Sequence, residues 1–409
     1  MITTEIFDVL LLVALALIFA RVLGYLFDRL KQPAVIGEII AGVFLGGIAI
    51  AFFSGQNFYF YSYKLPLPQL YFGSVEFALL AEIGILFLLF ISGLETSVSK
   101  LKKVKKSASL VATGGVILPL ILGVIAGVFF GFSTGESIII GLILVATSVG
   151  VTVRTLMDLH ALDTDVGTTI LGSAVIDDVL GIILLAFALG IESIFDAVWV
   201  GLRIAIFFLI FLILGLKVID KILNLGEKIH LPKSFLSISL SILLIYSFFA
   251  DKAGISGIIG AFVAGLLIGN TIKSRKIIDD VQAIGYGLFI PLFFVWVGAS
   301  LWQGSSEDIS YFANIALLSI VIIIVAIIGK TIGCGIGAKL SGMNYRESLN
   351  VGVGMIPRLE LALIIVSSAI SHGLLTGTVA HQILTMTILL TIATTLITPI
   401  LIKATFKKN

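Results

Sequence analysis

Cysteine is almost missing from this chain: Cys334 is the sole one in 409 residues. That excludes an internal disulfide framework and any metal site built from several thiolates. Charge is scarce too. Asp, Glu, Lys and Arg make up 12% of the residues, against about 25% in soluble domains. The four histidines, His160, His230, His372 and His381, all fall near the ends of apolar runs and read as loop residues. No G-x-x-x-x-G-K-[ST] stretch occurs, and no G-x-G-x-x-G opens a βαβ unit, so nothing points to a nucleotide. No cofactor is expected. A cleavable leader pattern is also absent; the first apolar stretch, Ile6 to Phe27, is long enough to remain as a spanning helix.

What fills the chain instead is apolar: 59% of the residues are hydrophobic, and the mean hydropathy is +1.18. An all-α polytopic membrane protein follows. The 42 glycines suit close helix packing in lipid. We read about thirteen transmembrane helices, at roughly 4–27, 33–53, 75–97, 108–132, 135–157, 166–190, 195–218, 233–251, 254–272, 282–303, 309–339, 345–372 and 379–403. Lysine and arginine concentrate in the loops after odd spans, most densely at Lys100, Lys102, Lys103, Lys105 and Lys106. That bias predicts an outside N-terminus and a cytoplasmic C-terminus. The run KLKKVKK at 100–106 reads as a topology anchor in the loop before span four, with anionic lipid heads as a second reading. The segment 54–74, rich in Tyr and Phe, reads as an interfacial aromatic lid. Because the basic residues sit in short loops, nucleic acid is not an expected partner; membrane lipid is.

Two aspartates interrupt this pattern. Asp177 and Asp178 are adjacent inside the apolar run from Ile170 to Gly190. Each charge at the centre of such a helix costs about 2.5–3.5 kcal/mol on insertion scales. Two carboxylates at that depth need a counter-charge, a bound cation or a proton. At ~1.5 Å per residue, Asp177 lies about 16 Å from the inner surface, Lys330 about 13 Å, the stretch Thr147–Gly150 about 10–15 Å and the pair Pro357–Arg358 about 18–20 Å. With a hydrocarbon core ~30 Å thick, the four converge near the midplane.

Span five (ATSVGVT) and span twelve (VGVGMIPRLE) carry helix breakers at that depth, Gly150 in one and Gly352, Gly354 and Pro357 in the other. Proline removes a helix hydrogen bond and clashes with the preceding turn. Interrupted helices running in opposite senses are the sequence sign of a transporter site built from inverted repeats. An intramembrane aspartyl protease also needs two aspartates, but they must share one proton across facing helices. Neighbours on one helix point ~100° apart, so the chain does not read as an enzyme.

With these residues assembled, the sequence resembles the second subfamily of monovalent cation:proton antiporters, which includes sodium/proton antiporters and potassium-efflux proteins. The resemblance rests on PAVIGEIIAGVFLG (33–46), LFLLFISGLE (86–95), ATSVG (146–150), AVIDDVLG (174–181), the lysine in IIGKTIG (327–333) and GMIPRLELALI (354–364). It implies the sodium/proton antiporter fold and an elevator-like exchange of protons for Na+, with Li+ or K+ as alternatives. It divides the chain into the first half of a dimerisation domain (1–107), the first half of an ion-binding core (108–194), a linker helix and loop (195–232), the second half of the dimerisation domain (233–308) and the second half of the core (309–409). A homodimer is implied.

By the same resemblance Asp178 is the main carboxylate for Na+ and protons, and Asp177 pairs with Lys330 when sodium is absent. The Asp-Asp pair with Lys330 favours electrogenic exchange. The transported cation would take carboxylate oxygens, the Thr147 or Thr152 hydroxyl and unwound carbonyls. Arg358 and Glu360 would neutralise each other and the helix ends at the crossing, supported by Gly150, Gly354 and Pro357. The chain departs from many relatives in having Leu359 where they have Gly. Two other functions are compatible with such a fold. One is a potassium-efflux protein, antiporter or channel-like, gated by a separate subunit. The other is a sodium-coupled symporter, against which Lys330 argues.

Overall fold

The computed structural model describes residues 2–30, 32–53, 58–60, 63–65, 70–96, 98–188, 199, 202–203, 205–228, 231–254, 256–271, 277–300 and 309–406. It is helical almost throughout, as backbone groups in lipid must bond within their own segment. The elements are α1 (Ile2–Arg29), α2 (Ala34–Phe53), α3 (Val75–Glu95), α4 (Val98–Phe129), α5 (Thr134–Val145), α6 (Val149–Asp158), α7 (Asp165–Ala188), α8 (Gly215–Lys228, after a π-helical stretch Phe208–Leu214), α9 (Ser234–Lys252), α10 (Gly257–Gly269), α11 (Ile278–Ala299), α12 (Ile309–Leu340), α13 (Tyr345–Gly354), α14 (Glu360–Ser371) and α15 (Gly377–Phe406). A hairpin, β1 (Phe58–Phe60) with β2 (Tyr63–Leu65), pairs Phe58 with Leu65 in the segment expected to be an aromatic lid; the rest of 54–69 lies outside the described residues.

Among the described residues nine helical stretches are long and apolar enough to cross a membrane. Shorter apolar helices lie at Ala34–Ala49, Gly257–Gly269 and Leu361–Ile370. Of the seventh expected span, 195–218, residues 195–198, 200–201 and 204 lie outside the described residues, and 205–218 are helical with a π-helical stretch at Phe208–Leu214. The chain forms two compact units, one of 1–85 with 283–309 and one of 86–282 with 310–409. In the first, α1 lies on α2, and α2 meets α11 so closely that a Cβ on Gly42 or Gly298 would run into the opposite backbone.

The second unit holds every candidate site residue. Here α4 differs from expectation. It begins at Val98, ten residues before the predicted span, so the lysine run lies inside a helix rather than in a loop. The reason is that Leu101 and Ala108 approach α7 at Gly172, while Lys100 and Lys103 pair with Asp163 (2.5 Å) and Asp165 (3.2 Å). The far end of α4 turns at Gly131, φ +83°. Then α5 starts on a capping box in which Ser133 and Glu136 satisfy each other's backbone N–H.

Along its other flank α4 packs on α12 through glycine. Gly329, Gly333 and Gly337 recur every four residues on α12. Gly333 meets Gly114 backbone to backbone, Gly337 meets the Leu110 carbonyl, and Gly329 lies against Pro119. Small residues at this spacing let helices approach closely in lipid, where little else drives association. Gly333→Leu is therefore expected to force the helices apart and to lower stability by about 1–3 kcal/mol. A thermal-melting series in detergent, with Ile332→Leu on the exposed side as control, checks this; equal melting of the two variants would remove the seam's importance.

Candidate functional site

Two breaks build the site. Helix α5 stops at Val145 because Ala146 (φ −52°, ψ 138°) and Ser148 (φ −102°, ψ 114°) are extended, and α6 restarts at Val149. Helix α13 stops at Gly354, and Ile356 to Leu359 run without helix before α14. Pro357 sits in that gap, where the missing N–H breaks no ladder. The breaks are laced together: Ser148 N–H donates to the Pro357 carbonyl at 2.7 Å, and Thr152 Oγ1 donates to the Gly354 carbonyl at 2.7 Å. A Cβ on Gly354 would meet Ile170 Cδ1 of α7 at 2.5 Å, so a larger residue there would displace that side chain. Gly150 is buried in the first turn of α6.

Arg358 is wholly buried, and its guanidinium is held by carbonyls. It donates to Leu144 O (2.9 Å) in the last turn of α5, to Ala326 O (3.1 Å) of α12 and to Ile356 O. The C-terminal end of α5 carries partial negative charge that a cation offsets. Ala326 is one turn before Lys330, so Arg358 ties the turn bearing that lysine to the end of α5. Arg358 is itself fixed from α15. Its N–H donates to Thr394 Oγ1 (3.3 Å), and its carbonyl accepts from Thr395 Oγ1 (3.4 Å). Arg358 meets the helix end through these carbonyls. Glu360 opens α14, and its side chain lies outside the described residues.

The two aspartates face different neighbours, as adjacent helical positions must. Asp177 and Lys330 are each 0% exposed, and Lys330 Nζ lies 2.9 Å and 3.0 Å from the two carboxylate oxygens. Gly115 of α4 lies beside the pair; a Cβ there would run into Cys334 Sγ at 2.5 Å and touch Nζ at 3.4 Å. Thr147, buried at the first break, turns its hydroxyl toward Asp177 but closes no hydrogen bond of ordinary geometry. Asp178 is half-buried and borders a cavity of ≈ 10 Å³, enough for about one water. Leu89, Val149, Val175, Ile258, Ile259 and Phe262 line it with Leu171 and Ala174.

The expected constellation is therefore drawn together: Asp177, Lys330, Thr147, Thr152, Gly354, Pro357 and Arg358 join in one buried centre, with Asp178 beside it. Thr152 differs from Thr147 in that its hydroxyl is already committed to the Gly354 carbonyl. The threonines of α15 were not foreseen. Thr387, Thr391, Thr394, Thr395 and Thr398 are all buried; their four- and three-residue spacing on one face was the available signal. No group of three or more His, Cys, Asp or Glu able to hold a resident metal occurs among the described residues.

The sequence matches the family described as sodium/hydrogen exchanger, transmembrane, over residues 13–408. The Na(+)/H(+)-K(+) antiporter GerN of Bacillus cereus is 34% identical over 404 residues, covering 98% of this chain and 97% of its own. The Na(+)/H(+) antiporter of Enterococcus hirae is 33% identical over 402 residues, covering 97% and 98%. The solved structure of the sodium proton antiporter MjNhaP1 from Methanocaldococcus jannaschii superposes with a TM-score of 0.62 over 97% of this chain and 96% of that one. Sequence identity there is 18%, a likeness of fold.

Proposed function

This chain belongs to the sodium/hydrogen exchanger family, and we propose that it exchanges protons for monovalent cations, Na+ foremost, through the centre formed by Asp178, Asp177 and Lys330. It is a multi-pass membrane protein and a secondary transporter, not an enzyme. The observation that carries the reading is the wholly buried Asp177–Lys330 pair next to a second carboxylate, at the point where two broken helices cross.

The chemistry is competition. Burial works against the charged form of any side chain, and an opposite charge nearby works for it. A carboxylate poised between the two gives up its proton when a small cation takes its place. Asp178 is the group for this role, since Asp177 is engaged with Lys330. Thr147, with its unpaired hydroxyl, is the neutral oxygen of choice for the cation; Thr152 holds the crossing together. Leu89, Val149 and Phe262 beside Asp178 keep bulk water away, which strengthens every charge interaction in the centre. A proton or a cation neutralises Asp178 before it crosses apolar surroundings, so an empty, charged centre does not move. That condition makes an exchanger rather than a leak.

We further take the exchange to be electrogenic and elevator-like. The core is 108–194 with 309–409, the dimerisation domain is 1–107 with 233–308, and 195–232 links them. The N-terminus is outside, the C-terminus is cytoplasmic and the unit is a homodimer. The net charge moved would respond to the membrane potential at ~2.3 kcal/mol per charge per 100 mV.

The test is transport in proteoliposomes loaded with a pH-sensitive dye. A pH gradient is imposed and NaCl, LiCl or KCl is added in turn, with and without a valinomycin clamp. Cation-dependent alkalinisation or acidification names the ion, and dependence on the clamp shows that charge moves. K+ belongs in the series because the name of the Bacillus cereus relative includes it. If no cation moves protons, the exchanger reading falls.

A further inference from the structure

An exposed ridge winds along α4, advancing ~40° round the helix with each four-residue step. Lys105, Ser109, Thr113, Ile117, Ile121, Ile125 and Phe129 follow one another every four residues, and all are exposed. The four apolar members are 52%, 49%, 59% and 83% exposed. In a membrane protein such a stripe faces acyl chains. The two hydroxyls on it make no demand on the lipid, because Ser109 Oγ donates to Lys105 O and Thr113 Oγ1 to Ser109 O. Lys102 and Lys106 flank the same face and are exposed.

Depth arithmetic puts the lysines in a particular layer. Hydrocarbon ~30 Å thick takes about 20 residues of helix, so counting back from Phe129 the apolar layer ends near Leu110. Lys106 and Lys105 then lie about 6–8 Å beyond it, within or at the edge of the headgroup layer, which is roughly 5–8 Å deep on each side. Lys102 lies about 12 Å beyond, and its flexible stem reaches back toward that layer.

Lys100 and Lys103 are compensated by Asp163 and Asp165. Among the described residues no carboxylate pairs with Lys102, Lys105 or Lys106. Three uncompensated cations at headgroup depth, above an acyl-facing stripe on the same helix, fit one occupant. We propose that this face of α4 is a binding site for an anionic phospholipid, its headgroup on Lys102, Lys105 and Lys106 and a chain along Ile117, Ile121 and Ile125. Through the glycine seam the lipid holds the helix that abuts Lys330.

The test is native mass spectrometry of the detergent-solubilised protein titrated with phosphatidylglycerol or phosphatidylcholine. Each lysine near the surface favours anionic lipid by about fivefold. The wild type is expected to prefer phosphatidylglycerol. The triple variant Lys102→Gln/Lys105→Gln/Lys106→Gln should lose that preference by about tenfold or more, and the triple Lys→Arg variant should keep it. Single variants Lys105→Gln and Lys106→Gln, each expected to lose about fivefold, keep the test alive if the triple variant fails to assemble. Wild-type indifference to headgroup charge, or unchanged preference in the Gln variants, would overturn the proposal. So would displacement of phosphatidylglycerol by excess inorganic phosphate, since that would make the lysines a free-anion site. The readout is independent of transport, so this inference and the exchanger reading fail separately.

Discussion

Asp178→Asn is expected to abolish cation-driven proton movement in proteoliposomes while leaving the protein folded. Asn keeps the shape of the side chain and removes both the charge that attracts the cation and the proton that is exchanged. The cation loses its anionic ligand, so transport at sub-saturating Na+ should fall by on the order of 100-fold or more, equivalent to about 3 kcal/mol of binding. Folding is expected to survive, because Asp178 is half-buried beside a water-sized cavity and Asn fills the same volume. The paired measurement is melting temperature. A variant that melts like wild type and transports nothing supports the assignment. One that transports normally would move the function elsewhere, with Asp177 and its lysine the next group to examine.

Lys330→Met should have the opposite character, a large effect on stability. Met fills the volume of the aliphatic stem but leaves Asp177 at 0% exposure without its cation. Stranding a buried charge in this way costs about 3–5 kcal/mol. Melting curves in detergent should show Lys330→Met well below wild type. The double variant Asp177→Asn/Lys330→Met should recover most of the loss, since both charges are gone. If the single variant melts like wild type, or the double variant is no better, the pair is not what holds this part of the core.

Much of the centre was legible because the bilayer makes polar residues conspicuous. Asp177, Asp178 and Lys330 stand in apolar runs where each is costly, and counting residues from the span ends brought them to one depth. The breaks were legible through Pro357, which cannot continue an ordinary helix, and Gly354, which weakens one. What was hidden had other causes. The α15 threonines bond within their own helix, Thr387 to Ile383 O and Thr398 to Thr394 O, so they pass as ordinary helical residues until Arg358 is seen against Thr394 and Thr395. The role of Thr152 was hidden because its partner is a carbonyl 202 positions away. The lysine run read as a loop because hydropathy registers where a span ends, whereas α4 continues past that point on contacts with α7 and two aspartates. Asp178's surroundings were not legible at all, since Ile258, Ile259 and Phe262 belong to a distant and wholly apolar span.

The glycine seam also sets a mechanical scale. Helices α4 and α12 have 32 residues each, about 48 Å, and at Gly114–Gly333 and Leu110–Gly337 they touch backbone to backbone. Side chains in most interfaces act as springs that absorb small tilts by changing rotamer; a seam of glycines has no such springs. The two helices then behave as one beam, and angular motion converts directly into displacement. A tilt of one degree about one end moves the middle of the beam by about 0.4 Å, close to the ~0.5 Å within which a binding constellation keeps its geometry. Lys330 rides on that beam. A rotation of about one degree is therefore felt at the Lys330–Asp177 pair as a shift of a few tenths of an ångström.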